Sequence, residues 1–190
     1  MSQADRQRWN AKYEAKSLPG ALAPDEWLIE QVAPLPPGRA LELACGLGHN
    51  AIWLARQGWR VDAVDISPVG LRMAAELAQA HQAGVNWIVG DFDDFAPQPA
   101  AYDLVYVFRF LDRRRLPAIV EQALRPGGRL LYETFTLAHV ARPKSHMKNS
   151  AFALSPGELP TLFPRLRTLE YGEFDLPDRT VARFVGERLA

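Results

Sequence analysis

The most informative part of the chain is Glu42-Leu43-Ala44-Cys45-Gly46-Leu47-Gly48-His49-Asn50-Ala51, where a short apolar run meets two glycines. We predict a strand over residues 39–45 and a helix over 49–57, with Gly58 at the C-terminal end of the helix. Glycine lets the backbone approach a bound molecule because it has no Cβ atom. Open α/β sheets bind ligands where a strand ends in such a turn, so we expect a ligand at this loop.

Strands and helices alternate along the chain beyond this loop. Further strands are predicted over 60–66, 85–89, 102–108 and 129–135, and helices over 68–82 and 116–124. This alternation requires parallel crossovers and indicates a doubly wound, three-layer α/β sandwich. The strand-like segments 167–174 and 180–189 are joined by a short turn, so one closing strand runs antiparallel in a hairpin. Two helices, 3–16 and 24–33, precede the sheet.

The glycine spacing by itself is compatible with two kinds of cofactor. Gly46-x-Gly48-x-x-Ala51 satisfies the dinucleotide fingerprint, and Asp65 lies 19 residues beyond Gly46, where a carboxylate can bind both hydroxyls of a ribose. Glu42 favours a cofactor other than NAD, because a carboxylate inside a strand is costly unless a cation or donors meet it. A pyrophosphate would repel this carboxylate. The ammonium of S-adenosylmethionine (SAM), a cofactor without phosphate, would bind it.

Four segments resemble the motifs of the class I SAM-dependent methyltransferases. They are Leu41–Gly48, Val64–Ser67, Gly90–Phe92 and Leu124–Leu130, the last with a tight Pro-Gly-Gly turn into strand five. The resemblance implies a Rossmann-like, seven-stranded, mostly parallel sheet whose last strand is antiparallel. It also implies SAM as the cofactor, with the methionine part over the glycine loop and the adenine near Asp91 and Phe92.

The resemblance also assigns individual residues to the cofactor site. They are Glu42, Cys45, Gly46, Gly48, Asn50, Asp65, Ile66, Asp91, Phe92 and Phe108. Trp9–Tyr13 and Phe108–Arg113 are similar to segments of small bacterial methyltransferases of the tellurite-resistance and thiopurine-methyltransferase type. In that group an N-terminal aromatic segment covers the cofactor. Trp9 and Tyr13 are therefore expected either to cover SAM or to pack in the core.

Composition excludes several classes of function. The 190 residues carry 22 basic and 22 acidic side chains, without the basic excess of nucleic-acid-binding proteins, so no nucleic acid is expected as a partner. The single cysteine excludes an internal disulfide and a zinc site built on several cysteines, and we predict no metal site.

Length and hydrophobicity predict the organisation and location of the protein. No apolar run approaches the ~20 residues of a membrane span, and the polar N-terminus lacks a secretory segment, so a soluble, cytoplasmic protein is expected. The length predicts one SAM-binding domain over 1–190, with an N-terminal helical cover over 1–37. No pattern predicts an oligomeric state.

The substrate is expected to meet basic side chains. Residues 134–157 contain no acidic residue, and the segment 136–157 is long enough to form a lid at the sheet edge that carries the glycine loop. We expect Arg109, Arg142 and Lys144 to bind a small anionic acceptor, with ordinary solvated surface as the alternative for the segment. Arg109 and His139 are the catalytic candidates, His139 as a base where the acceptor needs one.

The sequence therefore predicts SAM-dependent methyl transfer to a small-molecule acceptor. In-line displacement at a sulfonium depends on proximity and alignment, which the protein supplies. Two alternatives stay open. One is an NAD(P)-dependent oxidoreductase, which the glycine spacing supports, and the other is a non-catalytic SAM-binding module.

Overall fold

The structure is a computed structural model that describes residues 3–145 and 147–189. Within these residues, seven strands form one sheet in the order β3-β2-β1-β4-β5-β7-β6. The chain forms two compact units, Met1–Ala96 and Pro97–Ala190. The predicted fold class is confirmed, whereas the single domain over 1–190 stays a prediction. None of the helices among the described residues is both long and apolar enough to cross a membrane.

The first unit contains the glycine loop. Its elements are α1 (Gln3–Glu14), α2 (Glu26–Val32), β1 (Arg39–Leu43), α3 (His49–Arg56), β2 (Arg60–Asp65), α4 (Pro68–Ala80) and β3 (Val85–Val89). The three strands are parallel, with Leu43 beside Val64 and Asp65 beside Val89. Because the strands end at neighbouring positions, the loops that follow them lie close together. α4 begins at Pro68 because the Ser67 hydroxyl accepts a hydrogen bond from the Gly70 N–H.

The second unit contains the remaining strands. Its elements are β4 (Tyr102–Phe108), α5 (Leu116–Ala123), β5 (Leu124–Phe135), α6 (Leu137–Ala141), a 3-10 helix (Ser150–Phe152), α7 (Glu158–Thr161), β6 (Leu166–Asp175) and β7 (Thr180–Arg188). β4 and β5 are parallel, and β7 runs antiparallel to both β5 and β6. The predicted hairpin is confirmed, and the Leu176 N–H closes its turn by donating to the Arg179 carbonyl over 2.7 Å.

The start of β5 differs from the prediction. The strand begins at Leu124 rather than after a separate turn, and the register shifts where Leu124 pairs with Tyr102 but Arg129 pairs with Leu104. The Pro-Gly-Gly sequence therefore forms a bulge inside the strand. Gly128 fits there because a Cβ atom would lie 2.8 Å from the Tyr102 carbonyl oxygen.

Candidate functional site

The loop after β1 is a tight turn with three residues in the left-handed region. Ala44 has φ of 60°, Gly46 of 57° and Gly48 of 69°. The Cys45 N–H donates to the Val64 carbonyl over 3.0 Å, and the Gly48 N–H donates to the Cys45 carbonyl over 2.9 Å. Glycine adopts such angles without steric cost, whereas Ala44 was not expected there from the sequence.

Asp65 holds this loop from the end of β2. Its side chain is 7% exposed. One carboxylate oxygen accepts the Gly46 N–H over 2.9 Å, and the other accepts the Ser67 N–H over 2.9 Å. A carboxylate has about four acceptor positions, so these two bonds leave capacity for ligand hydroxyls. Asp65 therefore organises the turn before α4 and still has acceptor positions for the predicted ribose contacts.

Two buried side chains lie beside the loop, the carboxylate of Glu42 and the thiol of Cys45. Glu42 lies within β1 and is 3% exposed. Burial raises the pKa of the Cys45 thiol well above its ordinary value, and the carboxylates of Glu42 and Asp65 raise it further. Cys45 is therefore a protonated thiol and no nucleophile. The charge around the loop favours a cationic ligand over a phosphate.

Helix α1 lies against the glycine loop through Tyr13. A Cβ atom at Gly46 would lie 2.9 Å from the Tyr13 hydroxyl oxygen, and one at Gly70 would lie 2.8 Å from the Tyr13 ring. Trp9 stacks on Tyr13 with ring centroids 5.9 Å apart. The Ser67 hydroxyl also donates to the Asn10 side-chain oxygen over 2.7 Å, which fastens α1 to the start of α4.

Tyr13 also belongs to the core. It packs with Val69 and Met73, and Trp9 lies against this cluster. Burial raises the pKa of the Tyr13 phenol, and the charges of Asp65 and Cys45 act in the same direction. The hydroxyl is therefore protonated. Core packing and a position over the loop were alternatives in the sequence, and the structure gives Tyr13 both.

We predict that replacing Tyr13 by alanine weakens SAM binding about tenfold. The ring that lies close to Gly46 is lost, and a loss of about 1.4 kcal/mol of binding free energy corresponds to this factor of ten. Tyr13→Phe keeps the ring and should bind within about threefold of the natural chain. Calorimetric titration with SAM measures both, with Arg6→Ala, an exposed position of α1, as the control. Unchanged affinity in Tyr13→Ala would contradict a covering role for α1.

Gly48 lies against the side chain of Trp87. A Cβ atom at Gly48 would lie 2.3 Å from the far ring carbon of Trp87, in β3. Trp87 packs against a buried cluster that includes Ile52 and Leu77. Gly48 was predicted to serve cofactor approach, and the structure adds a packing reason that the local sequence pattern does not contain.

Asn50, a predicted cofactor residue, and its neighbour His49 bind the segment before α2. The Asn50 side-chain oxygen accepts the Asp25 N–H over 2.8 Å, and the His49 Nδ1 accepts the Ala23 N–H over 3.2 Å. Asn50 was predicted to bind the cofactor. The structure instead shows its side-chain oxygen, buried, in a bond that positions the N-terminal segment.

The turn after β3 is built beside Asp65. The Gly90 N–H donates to the Asp65 carbonyl over 3.0 Å. Asp91 accepts the Asp93 N–H over 3.0 Å, so its carboxylate shapes the turn. Phe92 is buried and lies 6.4 Å from the Phe95 ring. Ile66 is also buried at the end of β2. The structure thus places the predicted adenine-contacting residues next to the predicted ribose-binding one.

In the second unit, β4 ends in a strained arginine. Phe108 is buried, and Arg109 has φ of 56°, with its N–H bonded to the Glu133 carbonyl over 2.8 Å. The exposed Arg109 guanidinium lies 6.0 Å from the centre of the Phe108 ring. A left-handed non-glycine residue costs about 1–3 kcal/mol and is frequent at functional sites. The role predicted for Arg109 in binding or catalysis stays a prediction.

The basic lid predicted over 136–157 requires correction at two residues. The Arg142 guanidinium donates to the Leu176 and Pro177 carbonyls over 2.8 and 2.7 Å, and so fastens the β6–β7 turn rather than reaching a ligand. His139 is 2% exposed, and its Nδ1 accepts the Thr180 N–H over 3.3 Å. This burial removes His139 as an accessible base. Lys144 is exposed, and His146 lies outside the described residues.

Arg113 fixes the far end of the same segment. Its guanidinium donates to the Ala151 and Ala153 carbonyls, each over 2.8 Å, and is paired with the Glu158 carboxylate. The hydrogen bond to Glu158 raises the pKa of Arg113, and the same bond lowers the pKa of Glu158. Sequence reasoning missed this role, because the partners lie about 40 residues away.

No group of three or more His, Cys, Asp or Glu side chains among the residues of 3–145 and 147–189 could hold a metal ion.

Comparison with known proteins finds similarity to methyltransferases. A family model described as "Methyltransferase domain" matches residues 40–128, which include the glycine loop, Asp65 and the turn at Asp91. This match agrees with the resemblance of the chain to the class I SAM-dependent methyltransferases. It also agrees with the prediction of SAM as the cofactor.

The chain is 32% identical over 111 residues to the ubiquinone biosynthesis O-methyltransferase of Xylella fastidiosa (strain 9a5c), and the match covers 56% of the chain. The chain spans 45% of the length of that relative. TehB from Haemophilus influenzae shares the fold with a TM-score of 0.66 and 19% identity, over 96% of this chain and 66% of that one.

A second similar structure contains ligands. Haemonchus contortus phospholethanolamine N-methyltransferase 2, in complex with phosphomonomethylethanolamine and S-adenosylhomocysteine, has a TM-score of 0.67 and 16% identity. The similarity covers 86% of this chain and 52% of that one. At these identities the two structures show a common fold.

The residues around the loop fit SAM. Glu42 and Asp65 supply carboxylates, and residues 41–55 contain no lysine or arginine that would neutralise a pyrophosphate. Gly46 presents backbone without a Cβ atom, at a point where Tyr13 lies close. These features match an ammonium and a ribose better than the diphosphate of NAD.

Proposed function

We propose that the protein transfers a methyl group from SAM to a small, anionic molecule. The observation that supports this most directly is the hydrogen bond between the Gly46 N–H and the Asp65 carboxylate, which joins the glycine loop to the predicted ribose-binding residue over 2.9 Å. A cytoplasmic location is part of the same proposal.

The proposal assigns roles to six residues of the first unit. Glu42 holds the ammonium, Asp65 the ribose hydroxyls, and Asp91 with Phe92 the adenine end. Trp9 and Tyr13 exclude water above the loop. SAM, when bound, supplies an electrophilic methyl group on a sulfonium. The protein contributes orientation and a dry surrounding, which are the main protein contributions to such a displacement.

The acceptor is proposed to be anionic because arginines follow the carboxyl end of β4 and surround that of β5. The H. contortus enzyme, solved with phosphomonomethylethanolamine, shows that this fold accommodates an acceptor that carries a phosphate. Among the described residues, His139 was the histidine predicted as a base, and it is buried. An acceptor with a nucleophilic thiolate or oxyanion needs no such base.

Calorimetric titration with SAM, and separately with NAD and NADH at equal concentrations, tests the proposal. We expect SAM to bind with micromolar affinity and the nicotinamide cofactors to give no heat of binding. Binding of NAD without SAM would overturn the proposal in favour of an oxidoreductase. Turnover with SAM and a panel of small carboxylates and phosphates then separates an enzyme from a SAM-binding module.

A further inference from the structure

A buried carboxylate near the end of β5 lies between two arginines. Glu133 is 0% exposed. The Arg183 Nε donates to one of its oxygens over 2.8 Å, and the Arg179 Nε donates to the other over 3.3 Å. We call these three residues the Arg179–Glu133–Arg183 triad. The cofactor chemistry described above does not use it.

Strand register places the triad at the carboxyl end of parallel strands. Glu133 pairs with Phe108 of β4 on one side and with Arg183 of β7 on the other. Because β7 is antiparallel, its first residues and the turn before it lie where β4 and β5 end. This is the edge at which open α/β sheets bind ligands, and Arg109 is attached to it through its bond to the Glu133 carbonyl.

Arg183 is held in a fixed orientation. Its guanidinium lies 5.2 Å from the centre of the Phe174 ring in β6, and Glu133 binds its Nε. The Phe174 ring in turn lies over Gly172, where a Cβ atom would be 2.8 Å from the ring. A guanidinium fixed by a carboxylate and an aromatic ring loses little freedom when it binds a ligand.

The charge of the triad favours an anion. Two guanidinium groups and one carboxylate sum to one positive charge, and the arginine side chains are only 21% and 15% exposed. Asp178 also pairs with Arg179, but its side chain is 69% exposed and screened by solvent. Buried Arg–Glu–Arg groups contribute little net stability compared with apolar side chains, so stability alone does not explain this one.

We propose that the Arg179–Glu133–Arg183 triad is the acceptor-recognition site, where Arg179 and Arg183 bind the oxyanion, carboxylate or phosphate, of the methyl acceptor. Glu133 is a positioning residue that holds the two guanidinium groups. This inference rests on the proposed function. It assigns the anion to residues other than Arg142, whose guanidinium binds carbonyls of the hairpin turn. The planar guanidinium matches either oxyanion through paired hydrogen bonds.

The test follows the arginine Nε–H signals of the ¹⁵N-labelled full chain during titration with inorganic phosphate, and separately with malonate, at constant ionic strength in sodium chloride. Signals are assigned by their loss in Arg179→Met and Arg183→Met. We expect the Arg179 and Arg183 signals to shift in a saturable manner with at least one anion. Saturation with phosphate alone indicates a phosphate-bearing acceptor, and saturation with malonate alone indicates a carboxylate.

A matched control is Arg167, which pairs with Glu187 on the surface of the same hairpin. Its signal should not saturate, and Arg167→Met should leave the titration unchanged. Arg183→Lys keeps the charge but loses the planar fork, so it should reduce anion affinity about tenfold even if Arg183→Met does not fold. Non-saturable shifts, or equal shifts at Arg167, would overturn the proposal.

Glu133→Gln tests the positioning role. We expect lower phosphate or malonate affinity, although the change removes a negative charge, because the two guanidinium groups lose their common anchor. Electrostatics without positioning predicts higher affinity, and that result would remove Glu133 from the proposal. None of these titrations needs SAM, so absence of SAM binding would refute the proposed function without affecting the test of the triad.

Discussion

Replacement of Asp65 by alanine is expected to weaken SAM binding by a factor of ~100 or more. Asp65 accepts the Gly46 N–H and the Ser67 N–H, so its loss disturbs the loop as well as the proposed ribose contacts. Hydrogen bonds to a charged group contribute about 1.5–3 kcal/mol each, and two ribose hydroxyls would lose theirs. At 1.4 kcal/mol for each factor of ten, even the lower figure gives about a hundredfold.

Calorimetry with SAM measures this change, and Asp94→Ala is the control. Asp94 is an exposed carboxylate in the turn after β3. Its removal changes the net charge by the same amount as Asp65→Ala without touching the glycine loop. We expect Asp94→Ala to bind SAM as the natural chain does. If Asp65→Ala keeps its affinity within about threefold, Asp65 serves only the turn and the ribose assignment is wrong.

The pH dependence gives a second measurement on Asp65. Burial raises the pKa of its carboxyl, against the lowering effect of the N–H bonds from Ser67 and Gly46. SAM affinity should therefore fall with acid at a pH above the ordinary value of about 3.9. The contribution of Asp65 to the stability of the free protein should change in the opposite direction and increase as the pH falls. A raised folded-state pKa stabilises the folded protein with Asp65 protonated, and this stabilisation is lost as the pH rises through that pKa.

The parts of the site that could be predicted from sequence are those set by local pattern. The β1–loop–α3 unit was correct because an apolar run, two glycines and a helix follow each other directly. The hairpin over β6 and β7 was correct because a short turn leaves no other connection. Asp65 could be assigned because the end of the second strand must lie near the loop.

The parts that could not be predicted depend on partners distant in sequence. Arg142 has a basic side chain in an acid-free segment, and nothing local indicates that it binds carbonyls of the turn at 176–177. His139 is predicted as a base, but its ring is buried and stacks on Phe135 with the ring centroids 4.5 Å apart. Glu133 lies within an apolar strand, and its two arginines are 46 and 50 residues away.

Gly48→Ala is expected to destabilise the fold by about 2–5 kcal/mol. Gly48 has φ of 69°, and a left-handed conformation costs a non-glycine residue about 1–2 kcal/mol. The added Cβ atom would lie 2.3 Å from the Trp87 ring, which must then move within its cluster, and overpacking of this kind costs about 1–3 kcal/mol. Urea unfolding of the chain without cofactor measures the total.

Gly127→Ala is the matched control, because it separates the two costs. Gly127 also has a left-handed φ, of 77°, but no atom lies within 4 Å of the Cβ position. It should therefore lose only the backbone part, and the difference between the two variants measures the clash with Trp87. If both variants lose the same stability, Trp87 moves without cost and the packing explanation fails.

In the double variant Gly48→Ala with Trp87→Ala the clash is absent, so the two changes should be non-additive. SAM binding by that double variant then decides whether Gly48 also serves cofactor approach, since a relaxed fold that still excludes SAM has lost the open backbone itself.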